Sequence, residues 1–265
     1  MPTLETFIDT HRASTDATLA AALVTHAGTL ALSMRDTGLN TDYKTSVSDV
    51  VTDADRAAED FIAGALAALR PNDGIIGEEG AAKEATSKRT WVIDPVDGTF
   101  NFSQGSDYFC SAVALTEGEN IPVSAINRPA THTTWVCDNG TATRNGVTLG
   151  TLRETSISEE ALVTYLHPTC MRDEKVLNAW LGATRDAATI RMWGAGSVDL
   201  ANIASGQLGA WLQHSVADWD WLPGKALIEA VGGKAIKVAA GGVQWCVAGN
   251  AQIVDDIATR LEHHG

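Results

Sequence analysis

The first clear rhythm of apolar positions is helical. Leu19, Leu23, Ala27, Leu30 and Met34 recur at spacings of four, four, three and four, which is one face of a long helix. Gly38 to Ser48 reads as a loop. A second helix starts at Thr52, turns Phe61, Ile62, Ala65, Leu66 and Leu69 to the core, and stops before Pro71. The period then shortens. Ile75-Ile76 and Trp91-Val92-Ile93 are brief apolar runs that read as buried strands, and further strands fall near 111–116, 123–126 and 133–137. Turn signals stand at Glu117-Gly118 and Asp138-Asn139-Gly140. The second half alternates: a strand near 162–165 and a helix near 174–181, a helix from Ser197 and a strand at 210–212, then a helix over 221–231, strands near 235–238 and 245–247, and a closing helix. The chain is mixed α and β without repeats. Turn residues cluster between Gly140 and Arg153, with no Pro- or Ser-rich linker. Two tightly joined lobes, 1–145 and 146–265, are therefore expected.

Composition narrows the partners. The chain has 265 residues and a formal charge of −14, which argues against nucleic acid and anionic membranes. An anionic small molecule remains compatible, because a bound divalent cation can reverse the local field. The stretch from Met1 to Leu19 carries Glu5, Asp9 and Asp16 and lacks the cationic start of a signal peptide. No apolar run approaches the roughly 20 residues that a spanning helix needs. The four cysteines (Cys110, Cys137, Cys170 and Cys246) are scattered, so they read as reduced thiols of a cytoplasmic protein.

Chemistry concentrates at Trp91-Val92-Ile93-Asp94-Pro95-Val96-Asp97-Gly98-Thr99. An apolar strand runs into two carboxylates. Pro95 lacks the N–H that a central strand needs, so the chain is expected to turn there and bring Asp94 and Asp97 to one side. Hard anionic oxygens suit Mg²⁺. Gly98 and Thr99 offer N–H groups where a helix begins, a seat for phosphate. Gly77-Glu78-Glu79-Gly80 also follows a buried strand. An isolated acidic pair is usually a solvated turn, but adjacent strands would bring Glu78 to Asp94, leaving Glu79 to solvent or to a supporting role.

Two further acidic clusters have competing readings. Thr52-x-x-Asp55 fits a capping box, and on spacing alone capping is the stronger reading. The alternative turns Asp55 towards a metal or an attacking water, with Lys44 ordering the loop. In Trp219-Asp220-Trp221-Leu222-Pro223-Gly224, Asp220 is either an N-cap or a site acid, Asp218 is its rival, and the tryptophans either pack the core or wall the site. The chain has no Gly-x-x-x-x-Gly-Lys-Ser/Thr loop and no Gly-x-Ser-x-Gly elbow. His214 lies nearest the acids in sequence and reads as a packing or surface residue.

Four segments in order resemble the inositol monophosphatase family of metal-dependent, lithium-sensitive phosphatases: 48–55, Ile76-Gly77-Glu78-Glu79-Gly80, Trp91 through Phe102, and Trp219-Asp220 followed by Glu229-Ala230-Val231-Gly232-Gly233. The likeness extends over nearly the whole chain. It implies a layered αβαβα sandwich of the inositol monophosphatase and fructose-1,6-bisphosphatase type, usually a homodimer. Carried over by position, it makes Glu78, Asp94, the Val96 carbonyl, Asp97 and Asp220 ligands of two or three Mg²⁺. Asp55, Thr99 and Glu78 become the catalytic residues, with Thr99 and Asp55 orienting a metal-activated water for in-line attack. Substrate contacts are implied for Asp97, Gly98, Thr99, Gly194, Ala195, Gly196, Gln213 and Asp220.

The expected substrate is a small phosphorylated metabolite, inositol 1-phosphate first. Phe100 and Gln213 depart from the pattern, Gln213 standing where inositol-cleaving relatives often carry Glu. Loss of that charge argues against a cationic ester such as histidinol phosphate, although Asp199 or Asp218 could supply one. Histidinol phosphate, a 3′-phosphonucleotide, fructose 1,6-bisphosphate and NADP are the alternatives with the same chemistry. A non-catalytic metal- or phosphate-binding protein is the alternative of another class.

Overall fold

Helices and sheets alternate in five layers in the computed structural model, which describes residues 1–43 and 50–263. Lys44 and the Ser48-Asp49 part of the first acidic segment lie outside the described residues. The chain opens with α1 (Leu4–His11) and α2 (Asp16–Thr37), pairs β1 (Thr41–Tyr43) with β2 (Val50–Thr52), and continues into α3 (Asp53–Leu69). The strands β3 (Gly74–Gly77), β4 (Ala82–Lys83), β5 (Arg89–Asp97), β6 (Cys110–Glu117), β7 (Asn120–Arg128), β8 (Thr133–Asp138), β9 (Thr141–Arg144) and β10 (Val147–Thr148) make an eight-stranded sheet, order β10-β9-β8-β7-β6-β5-β3-β4. A short α4 (Thr99–Ser103) leaves the end of β5.

The second half supplies β11 (Ala161–Thr164), α5 (Glu174–Thr184), β12 (Thr189–Arg191), α6 (Gly196–Ala204), β13 (Ala210–His214), α7 (Asp218–Ala230), β14 (Lys234–Ala240), β15 (Val243–Gly249) and α8 (Ala251–Glu262). Its strands form a five-stranded sheet, order β12-β11-β13-β15-β14.

Three apolar cores glue the layers. Leu19 and Leu23 of α2 and Ile62 and Leu66 of α3 pack with Trp91, Ile93, Val113 and Leu115 on one face of the large sheet. Val198 and Leu200 of α6 and Leu227 and Ile228 of α7 fill the space between the sheets, against Ala112, Ile126, Trp135 and Trp211. Val176 and Ala179 of α5 and Ile253 and Ile257 of α8 cover Leu162, Leu212, Trp245 and Val247 on the far side. Each fully buried Leu, Ile or Val contributes about 1.5–3 kcal/mol. Both faces of each sheet are covered, so the central strands are continuous apolar runs rather than alternating ones.

Two expectations are corrected. The long helix α2 is, by length and composition alone, apolar enough to cross a membrane. Thr, Ser and His interrupt its apolar letters but add no charge. In the fold its Leu19, Ala20, Leu23, Val24 and Ala27 are fully buried, as in the core helix of a layered protein. Secondly, Pro95 does not end β5. The strand pairs Asp94 with Ala112 and Asp97 with Cys110 on β6, with a register shift between them. Three steps on β5 match two on β6, a bulge centred on Pro95-Val96, where a missing N–H costs no ladder bond.

Candidate active site

The site grows from the ends of two parallel strands. β3 and β5 pair through Gly77 and Ile93, and the Glu78 amide donates to the Ile93 carbonyl at 3.2 Å. Glu78 therefore leaves its strand beside Asp94, as adjacent strands predict. Residues three apart on a regular strand point to opposite faces. The bulge removes that difference: Ala112 and Cys110, the partners of Asp94 and Asp97, are two apart and share the face between the sheets.

A third carboxylate arrives from α7. Ligand oxygens of Asp94, Asp97 and Asp220 lie within 4.8 Å of one another. The cap reading of Asp220 is corrected, because the helix starts at Asp218 and its N-cap is Ala217, without a side-chain cap. Asp218 is no rival: it is exposed and lies 3.6 Å from Lys237 Nζ. Both oxygens of Asp94 are buried without a hydrogen-bond partner. Burial first, then the charges of Glu78, Asp97, Asp220 and Asp55, pushes its pKa well above the usual carboxylate range. Leaving such a group unpaired is costly, and a cluster of hard oxygens is what a divalent cation requires. The donor set fits a metal ion.

Neighbouring groups fix these acids. Asp97 Oδ2 accepts from the Ser197 amide at 2.5 Å and lies 3.7 Å from the Cys110 thiol. Burial raises the Asp97 pKa, and the Ser197 hydrogen bond opposes the rise. Asp55 serves two roles at once. Its Oδ2 accepts from the Thr52 amide at 2.9 Å and the Thr52 hydroxyl at 2.5 Å, closing the capping box of α3. Its Oδ1 lies 3.1 Å from Thr99 Oγ1, which is also 2.9 Å from the Val96 carbonyl. The single Thr99 hydroxyl proton can satisfy only one of these acceptors at a time. Burial, opposed by the hydrogen bonds from Thr52, pushes the Asp55 pKa up to about 6.

Gly98 holds two loops together. It adopts φ +88°, and a Cβ there would lie 3.0 Å from Ala195 Cβ and 3.1 Å from the Gly194 carbonyl. Ala195 is buried behind this contact and is not among the described lining residues of the cleft. The other expected contacts come together. Asp97, Gly98, Thr99, Gly194, Gly196, Gln213 and Asp220, with Glu78, line a cleft of about 420 Å³, while Asp55, Asp94 and Val96 are buried. His214 is not among its described lining residues. A wider groove of about 820 Å³ lies between α2 and the β8–β9 face, but Asp138 is its only described acid.

Two supporting residues were not legible beforehand. Glu59, one turn after Asp55 on α3, accepts from the amides of Glu79 at 2.8 Å and Ala81 at 2.7 Å, fixing the loop that carries Glu78. Asn101 Nδ2 lies 2.6 Å from the Trp193 carbonyl and 3.0 Å from the Tyr108 carbonyl. The i, i+4 spacing of Asp55 and Glu59 was the available signal for the first; nothing local marks the second.

Comparison with known proteins follows the same layout. The inositol monophosphatase family model matches residues 13–262. The chain belongs to that family. It is accordingly a phosphoric monoester hydrolase by family. It is 31% identical over 231 residues to the Nus factor SuhB of Pseudomonas aeruginosa, covering 82% of this chain and 84% of that one. It is 31% identical over 212 residues to an inositol-1-monophosphatase of Caulobacter vibrioides, covering 76% and 81%. The extragenic suppressor protein suhB of Bartonella henselae shares the fold, with a TM-score of 0.84 at 23% identity over 92% of this chain and 97% of that one.

Proposed function

We propose that this family member is a Mg²⁺-dependent phosphomonoesterase acting on a small phosphorylated metabolite, with inositol 1-phosphate, histidinol phosphate and 3′-phosphonucleotides among the candidates. The observation that carries the reading is the pair of buried, unpartnered Asp94 oxygens facing a cluster of further carboxylates. Glu78, Asp94, Asp97, Asp220 and the Val96 carbonyl would hold two or three ions. Bound there, Mg²⁺ supplies an activated water and neutralises charge on the phosphoryl group and the leaving oxygen.

The chain's own groups do the rest. Asp55, held by Thr52 through one oxygen, orients the Thr99 hydroxyl through the other, and that hydroxyl accepts a hydrogen bond from the attacking water. The amides of Gly98 and Thr99, at the start of α4, receive the phosphoryl oxygens. Gln213 hydrogen-bonds the leaving alcohol. The Ser197 amide favours the ionised form of Asp97 and aims its carboxylate. Asp55, Thr99 and Asp97 are held before substrate arrives, which is the condition for efficient electrostatic stabilisation. The four free cysteines support a reducing, cytoplasmic setting, and the family likeness supports a homodimer.

The test is phosphate release from a panel of phosphomonoesters with Mg²⁺, with EDTA, and with Mg²⁺ plus Li⁺. Release that requires Mg²⁺ and is suppressed by Li⁺ is expected. Folded, Mg²⁺-loaded protein that releases no phosphate from any ester would sink the proposal.

A further inference from the structure

The mouth of the cleft exposes apolar surface that the reaction does not use. Phe100, Met192 and Trp193 are 43%, 40% and 37% exposed, and all three line the same cleft as Asp97 and Asp220. Tyr165 and Trp211 join them. Single exposed apolar residues need no explanation, but several gathered at one rim mark a contact surface. Among the described lining residues there is no Lys, Arg or His. Beyond the phosphate seat, the described lining of the cleft is mainly aromatic, and its acids are Glu78, Asp97 and Asp220.

Trp193 is fixed from behind. Its indole lies 5.2 Å from the Tyr108 ring at 54°. Tyr108 is held by its hydroxyl, which donates to Asp199 Oδ1 at 2.6 Å, and by the Arg128 guanidinium 4.8 Å from the ring centroid. The Trp193 carbonyl is held by Asn101, two residues after Thr99. Asp199 thus belongs to a column that supports Trp193, and is not a described lining residue of the cleft. An exposed ring held this way binds with little loss of side-chain freedom.

Resting on the phosphatase reading above, we propose that Trp193, which lines the same cleft as the exposed Phe100, is a specificity-determining platform, and that the preferred substrate is the phosphomonoester of an alcohol bearing a flat heteroaromatic ring. The ring lies on the indole while the phosphate sits at Gly98 and Thr99. No described lining residue is cationic, so a neutral or cationic ring is accommodated, and Gln213 offers both a donor and an acceptor to a ring nitrogen.

The test compares kcat/KM, with Mg²⁺, for ring-bearing esters (a nucleoside 2′-monophosphate and an imidazolylalkyl phosphate) and ring-free ones (glycerol 2-phosphate and inositol 1-phosphate). The two ring-bearing arms tell a nucleobase from an imidazole. Wild type is expected to prefer one ring-bearing ester by about tenfold or more, in line with the stacking of a base on an aromatic side chain. Trp193→Ala should cut that preference about tenfold, and Trp193→Phe should restore most of it. Equal turnover of both kinds by wild type, or an equal loss for both kinds in Trp193→Ala, overturns the proposal. If Mg²⁺-loaded protein cleaves none of the esters, the phosphatase reading fails separately, and equilibrium dialysis of the same esters decides the platform. About tenfold tighter retention of a ring-bearing ester, lost in Trp193→Ala, upholds it; equal or absent retention overturns it.

Discussion

The backbone amide of Ser197 donates to Asp97 Oδ2 at 2.5 Å, across 100 positions of sequence. Ser197 opens α6, which packs between the two sheets, and Asp97 ends β5 of the large sheet. The N-terminal end of a helix carries partial positive charge, so this contact favours an ionised carboxylate. It also occupies one Asp97 oxygen and leaves the other for the cleft. The site is assembled from both halves of the chain, and neither half alone holds all of its acids.

Asp94→Asn is expected to lower kcat by at least about 100-fold, because one of the two most buried acids of the proposed metal site is neutralised. The same change should raise the melting temperature of the EDTA-treated protein at pH 8, since it removes an acid buried without a partner beside other carboxylates. Phosphate release and melting curves with and without Mg²⁺ check both parts. Activity within tenfold of wild type would refute the assignment.

Mg²⁺ binding should compete with protons. Asp55 has its pKa raised to about 6 from 3.8, and Asp94 and Asp97 are raised as well. A raised carboxylate pKa means that the folded, metal-free protein holds its proton more tightly than the unfolded chain. Its stabilising contribution is complete below 3.8 and is lost as pH rises through about 6. Metal binding inverts this, because the ligands must be ionised. Each proton released on binding should weaken Mg²⁺ affinity by about tenfold per pH unit over the range in which the ligands titrate. Calorimetric titration between pH 5 and 7.5, in buffers of different ionisation heat, counts the protons; a pH-independent Kd would contradict the prediction.

Gly98→Ala should destabilise the fold by about 1–3 kcal/mol, the usual cost of a strained backbone conformation. Here the added Cβ also meets Ala195 Cβ at 3.0 Å. Each kcal/mol corresponds to roughly 2–4 °C of melting temperature at this chain size. Activity should fall further than stability, because the phosphate seat and the Trp193–Gly194 loop move together. A variant with wild-type melting and turnover would show that the close approach is unimportant.

Glu59→Ala removes the acceptor of the Glu79 and Ala81 amides. Loss of an outer-shell partner commonly costs 10–100-fold in metal affinity. The Mg²⁺ concentration giving half-maximal rate should therefore rise by about tenfold or more, while the rate at saturating Mg²⁺ falls much less. An unchanged Mg²⁺ requirement, measured on folded protein, would remove Glu59 from the supporting role.

Much of this was legible because both sheets are covered on both faces. Trp91-Val92-Ile93 and 111–116 stand out as apolar runs, and the acids that follow β3 and β5 could be paired before any coordinates. Short edge strands were not legible: β4, β10 and β12 hold two or three residues each, too few to show a period. The helix α1 was missed because it buries only Phe7. Asp220 and Asp218 could not be separated by spacing, since only the packing of α7 against the sheet decides which faces Asp94. Pro95 was misjudged because a missing N–H is compatible with a bulge as well as with a strand end. Asn101 and Tyr108 act through contacts some ninety residues distant, which no local pattern records.

Asp55 closes the first turn of α3 with one oxygen and meets Thr99 with the other. Fraying of that single turn would therefore release a reacting group while the rest of the fold stays intact. Helix ends open far more readily than cores do. Loss of turnover on heating should accordingly precede global unfolding, with the Thr52 amide exchanging its hydrogen early.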